Sequence, residues 1–92
     1  MKNIELKNII AVNGKSYLVS TISMRIRHRF FEKDDNLLIY ETMVFEIKNN
    51  KISYCKPLHN ERYATADEAT AEHDAIVRDP SRLFLNQKYK VD

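Results

Sequence analysis

From Tyr17 to Phe31 the chain alternates with a period of two. Leu18, Ser20, Ile22, Met24, Ile26, His28 and Phe30 form one set; Tyr17, Val19, Thr21, Ser23, Arg25, Arg27, Arg29 and Phe31 form the other. Such alternation predicts a long β-strand with one face on a core. Ile4 to Val12 predicts a strand before it. Asn13-Gly14 lies between the two, and both residues tolerate the positive φ of a tight hairpin. Gly14 is the only glycine in the chain. Leu37 to Lys48 alternates again, with Leu37, Ile39, Glu41, Met43, Phe45 and Ile47 on one side. Asn49-Asn50 predicts a turn and Lys51 to Cys55 a short fourth strand that Pro57 ends. Leu58 to Tyr63 reads as a connecting segment.

The period then changes. Thr65-Ala66-Asp67-Glu68 has the form of a capping box, and both acids suit the positive end of a helix dipole. Ala66, Ala69, His73, Ile76 and Val77 share one helical face, and Asp79-Pro80 stops the helix. The expected fold is α+β: an antiparallel meander of three to four strands over 4–55, one helix over 66–78 on its apolar face, and a C-terminal tail over 80–92. Ninety-two residues make one domain, 1–92, with a modest core.

Register follows from the requirement that the apolar sets share a face. Closing the turn over Glu32–Leu37 sets Phe30 against Ile39, His28 against Glu41 and Ile26 against Met43. His28 and Glu41 then interrupt the core face, as does His73 on the helix. Two readings of His28, Glu41 and His73 stay open: a buried hydrogen-bonded cluster joining helix to sheet, or a first shell for zinc. No Gly-rich phosphate loop, metal-spaced Cys/His set or Ser–His–Asp arrangement is present, so neither an enzyme nor a cofactor is expected.

Composition adds a surface argument. Net charge is only +2, but basic residues crowd 15–33 and acids crowd 61–74. Arg25, Arg27 and Arg29 repeat along one strand face roughly 6.5–7 Å apart. Like charges so placed do nothing for folding and point to an anionic partner: an acidic patch on a protein, a nucleotide or a nucleic acid. Tyr17 and Tyr40 are expected beside them, suited to stacking. Cys55 is the only cysteine, so no internal disulfide can form. The first residues lack a signal-peptide pattern and no apolar run reaches membrane length, so a cytosolic location and no membrane partner are expected. A homodimer is possible; facing arginine stripes would repel, which favours contact through a sheet edge or the C-terminal segment.

Val19-Ser20-Thr21, Ile26-Arg27-His28-Arg29-Phe30, Glu41-Thr42-Met43-Val44-Phe45, and Glu61-Arg62-Tyr63-Ala64-Thr65 through Glu68-Ala69 to His73 occur in that order. As a set they resemble a family of short proteins of tailed phages and prophages with a VST strand, an ETMVF strand and an ERYxTxxEAxxxH helix start. The resemblance spans roughly residues 17 to 78. It departs at Arg27, where that family usually has an acid. It implies phage origin and a cytoplasmic setting in a bacterial host cell, with a host protein complex among the partners, and singles out His28, Glu41, Arg62, Tyr63 and His73 as recurring polar positions, but no activity. The expected function is a non-enzymatic accessory protein. Through the basic sheet face it would bind and inhibit, or sequester, a component of a bacterial defence system, in the manner of anti-CRISPR or signal-sequestering proteins. The alternatives are direct nucleic-acid binding and a structural or assembly role in the virion.

Overall fold

The computed structural model describes residues 3–27 and 36–84. Among them the order is β1 (Glu5–Val12), β2 (Lys15–Arg27), β3 (Asn36–Lys48), β4 (Lys51–Ile52), β5 (His59–Tyr63), α1 (Ala66–Arg78) and a 3-10 turn, Pro80–Phe84. The strands form one antiparallel sheet in which β1, β2 and β3 are neighbours and β4 and β5 share the far edge of β3. With α1 on one side this is the expected α+β architecture.

Local chemistry sets the turns. Asn13 and Gly14 stand at φ 54° and 78°, and Asn49 and Asn50 at 52° and 63°. Two consecutive positive-φ residues give the backbone twist that suits a two-residue hairpin. The expected strand Lys51 to Cys55 is cut short at Ile52, but the edge continues beyond it. Ser53 donates to the Glu46 carbonyl and Leu58 to the Val44 carbonyl, and the ladder then resumes as β5. The segment read as a connection, Leu58 to Tyr63, is therefore mostly strand. Cys55 is exposed in the break between β4 and β5.

Helix α1 starts as expected. Thr65 is extended, its Oγ1 accepts from Glu68 N–H at 3.1 Å, and its hydroxyl donates to Glu68 Oε1 at 3.0 Å. Asp79 leaves the helical region before Pro80.

Two expectations about the sheet are corrected. The first is register. Glu41 pairs with Ile22, not His28, and Met24 with Ile39, six positions from the expected alignment. The expected register came from closing the chain over Glu32–Leu37, whereas the described ladder runs to Arg27 opposite Asn36; the partner of Glu41 comes instead from β5, where Arg62 lies directly opposite. The expected turn, His28 and Arg29 lie outside the described residues.

The second is the side that α1 covers. Glu41 and Phe45 are buried on the side away from α1, but the main buried set is Ile10, Tyr17, Val19, Thr21, Leu38, Tyr40, Thr42 and Val44 from the sheet, with Ala69, His73 and Ile76 from the helix. That is the Tyr17–Thr21 side of β2, not the Leu18–Met24 side. Both sides carry enough apolar residues to be cored. Only the Tyr17 side offers hydroxyls opposite each other on neighbouring strands, and the buried stripe of α1 contains a histidine that needs them. Two apolar clusters flank this polar layer. Ile10, Tyr17, Val19, Val44 and Ile76 lie toward the end of the helix, and Leu38, Tyr40 and Ala69 toward its start.

Candidate functional site

The polar layer is a chain of four side chains on three strands and the helix. Thr21 and Thr42 face each other across β2 and β3 with their hydroxyls 2.6 Å apart. Thr21 Oγ1 is 2.7 Å from His73 Nδ1, and His73 Nε2 is 2.7 Å from Asn8 Oδ1. With Asn8 presenting its oxygen, Nε2 carries the ring proton and donates to it. Nδ1 then accepts from Thr21, whose oxygen accepts from Thr42. Every donor in the chain has one acceptor. Burial lowers the His73 pKa from its ordinary 6.5, with Asp74 opposing weakly, so the ring sits neutral.

Hydroxyl, imidazole and amide in line have the layout of a nucleophilic triad. The burial is wrong for that chemistry. Thr21 and Thr42 have no exposed surface and His73 has 2%. No substrate reaches the hydroxyl without removal of α1. The chain fixes helix to sheet, and only its Asn8 end is exposed.

The expected cluster of His28, Glu41, His73, Arg62 and Tyr63 is not assembled at one place. Glu41 points to the side away from α1 and accepts from Arg62 Nε at 3.2 Å. His73 and Tyr63 lie on the helix side. Strand alternation separates them: odd residues of β3 and even residues of β5 share the open side. Tyr63 is pushed above the usual phenol range, chiefly by burial and then by Glu61 and Glu72. Among the described residues no group of three or more His, Cys, Asp or Glu could hold a metal ion.

The basic face is also rearranged. Tyr17 and Tyr40 do share a side with Arg25, but at 5% and 3% exposure they are core residues under α1. Tyr17 packs edge-on against Phe84 at 6.1 Å, and burial followed by Glu46 raises its pKa. Neither can flank a ligand. Arg25 is exposed opposite Leu38, and Arg27 pairs with Asn36 at the end of the ladder. The Arg27 side chain and Arg29 lie outside the described residues. β1 pairs only as far as Ile22 and β5 only as far as Tyr40. Met24–Arg27 and Asn36–Ile39 thus continue as a two-stranded ribbon past the rest of the sheet. The acidic helix lies on the same side of the sheet as Arg25, not opposite it as the charge pattern had implied.

Sequence reasoning missed Asn8, Thr21 and Thr42. Their signal is faint: polar positions within an alternating strand that point to the buried side. A shallow hollow of about 440 Å³ at the start of β1 is lined by Asn3, Ile4, Glu5, Ile22 and Ser23 and opens broadly to solvent. Its one acid–base group is Glu5, and its one hydroxyl, Ser23, is tied to the Ile4 backbone. No helix among the described residues is long and apolar enough to cross a membrane. No known family, curated protein or solved structure matches this chain.

Proposed function

We propose that this protein acts by binding rather than by catalysis, as a phage or prophage accessory protein that occupies an anionic component of a bacterial defence system. The observation that carries the reading is the separation of its polar groups. The constellation with catalytic layout is sealed under α1 and serves the fold, whereas Arg25 is exposed on a ribbon that extends past the neighbouring strands. A cation on a two-stranded ribbon, clear of the edge strands, is well placed to enter a concave acidic surface. The ordered resemblance to small phage proteins supports the phage setting. An acidic protein surface is the preferred target.

The test is affinity capture by tagged protein from bacterial lysate, with and without nuclease, against an Arg25→Glu control. A specific protein that survives nuclease and is lost with Arg25→Glu supports the reading. Nucleic acid alone, lost with nuclease and with a steep salt dependence, would replace it with direct nucleic-acid binding.

A further inference from the structure

The side of the sheet turned away from α1 carries large apolar residues in ordered rows. Met24 and Ile39 form the first. Glu5, Ile22, Glu41 and Arg62 form the second, in that order across β1, β2, β3 and β5. Lys7, Ser20, Met43 and Asn60 form the third. Ile9, Leu18 and Phe45 form the fourth, with Tyr54 packed edge-on against Phe45 at 5.0 Å. Ile47 and Ile52 close the far end. Ile9 is 71% exposed, Ile22 37% and Tyr54 63%. α1 and the 3-10 turn both pack on the other side.

We propose that this open side pairs with the same side of a second copy as a two-fold, sheet-on-sheet dimer. Two features of the surface select a second copy. The first is charge. The second row has an acid at one edge, exposed Glu5, and a base at the other, exposed Arg62. A two-fold axis parallel to the strands lays β1 of one copy over β5 of the other. Each Glu5 then meets an Arg62, twice per dimer and at the same level along the strands. In the next row the same operation sets Lys7 over the neutral Asn60, so no like charges meet at the edges. Glu41, the one charge inside the patch, already has Arg62 as its partner.

The second feature is area. With strands about 4.8 Å apart and a rise of about 3.4 Å per residue, four strands over Ile39–Ile47 present about 500 Å² per copy. Two copies cover about 1,000 Å², the lower end for a specific interface, which fits a dimer that dissociates on dilution. Sheets packed this way keep their strand directions within about 30° of each other. Arg25 lies on the opposite side, so the repulsion that had argued against a face-to-face dimer does not arise. The dimer leaves the Arg25 side of both ribbons free.

The test is sedimentation equilibrium of the full chain from low micromolar to near-millimolar concentration. The expected result is a monomer–dimer equilibrium with a subunit of 10.9 kDa. Ile9→Lys and, separately, Tyr54→Lys should each raise the dissociation constant about ten-fold or more. Far-UV circular dichroism should stay unchanged, most securely for Ile9→Lys at a position already exposed. Glu5→Lys should weaken the dimer more at low than at high salt. Arg25→Glu should leave the dissociation constant unchanged, which separates failure of this inference from failure of the anionic-partner reading. A monomer at every concentration would overturn the proposal, as would a dimer indifferent to both lysine substitutions.

Discussion

Replacing Thr21 by valine keeps the side chain's shape and removes one hydroxyl from the middle of the buried chain. That hydroxyl does two things: it donates to His73 Nδ1 and accepts from Thr42. Its loss leaves Nδ1 without a donor at a residue with 2% exposure, where water cannot take over. An orphaned buried acceptor together with the lost bond costs about 2–3 kcal/mol. Thr42→Val removes the donor to Thr21 and the hydroxyl beside the buried Tyr63 phenol but leaves Thr21 bonded to His73, so it should cost about 1–2 kcal/mol. Asn8→Ala acts at the exposed end, where water replaces the amide oxygen, and should cost about 1 kcal/mol or less. The assay is urea denaturation followed by circular dichroism at pH 7.5 and one fixed protein concentration. For a domain of this size, about 2 kcal/mol corresponds to a Tm lower by about 8 °C or more. The order Thr21→Val, then Thr42→Val, then Asn8→Ala follows from the direction of the chain. A Thr21→Val variant as stable as the wild type, or an Asn8→Ala variant less stable than Thr21→Val, would refute it.

Three other outcomes are expected. The folded-state pKa of His73 lies below its unfolded value of 6.5, so the unfolded chain binds more protons between the two. This contribution to stability is complete above about pH 6.5 and is lost as pH falls toward the folded pKa; Tm measured from pH 7.5 to 5 should fall, and His73→Phe should flatten the profile. Arg62→Met strands Glu41, which is 7% exposed, and should cost about 1–2 kcal/mol, discounted because the Arg62 side chain is half in water; Glu41→Met with Arg62→Met should recover that loss in the same urea titration. Gly14→Ala should cost about 1 kcal/mol through backbone strain alone, since φ is +78° and nothing lies within 4 Å of the added Cβ; a thermal melt that matches the wild type would count against a strained position.

The elements with a local code were legible in the sequence. Asn13-Gly14 and Asn49-Asn50 make the turns their positive-φ tolerance implies, and Thr65 and Glu68 cap the helix as their spacing implies. Helix α1 ends before Pro80 for the reason given by proline's effect on its neighbour. Register and facing were not legible, because they depend on pairings between distant segments. The expected register rested on closing the chain over Glu32–Leu37, which set His28 rather than Arg62 beside Glu41. The strand that supplies the Glu41 partner, His59–Tyr63, contains His59, Asn60, Glu61 and Arg62 in sequence and shows no apolar alternation. An edge strand with polar residues gives no period to read. Facing was misjudged because the longer run of Ile, Leu and Met was taken as the core side. The helix instead chose the side whose threonines match His73. The same choice puts Tyr17 and Tyr40 in the core and leaves Ile9, Ile22 and Tyr54 exposed.

The measurement that tests the functional reading most directly is phage plating on a panel of bacterial strains, each carrying one defence system, with this chain expressed in the host. The account predicts that plating rises at least about ten-fold on one such strain, and that Arg25→Glu, expressed equally and with the same Tm, abolishes the rise. Unchanged plating on every strain despite abundant folded protein, or a rise that Arg25→Glu leaves intact, would contradict it.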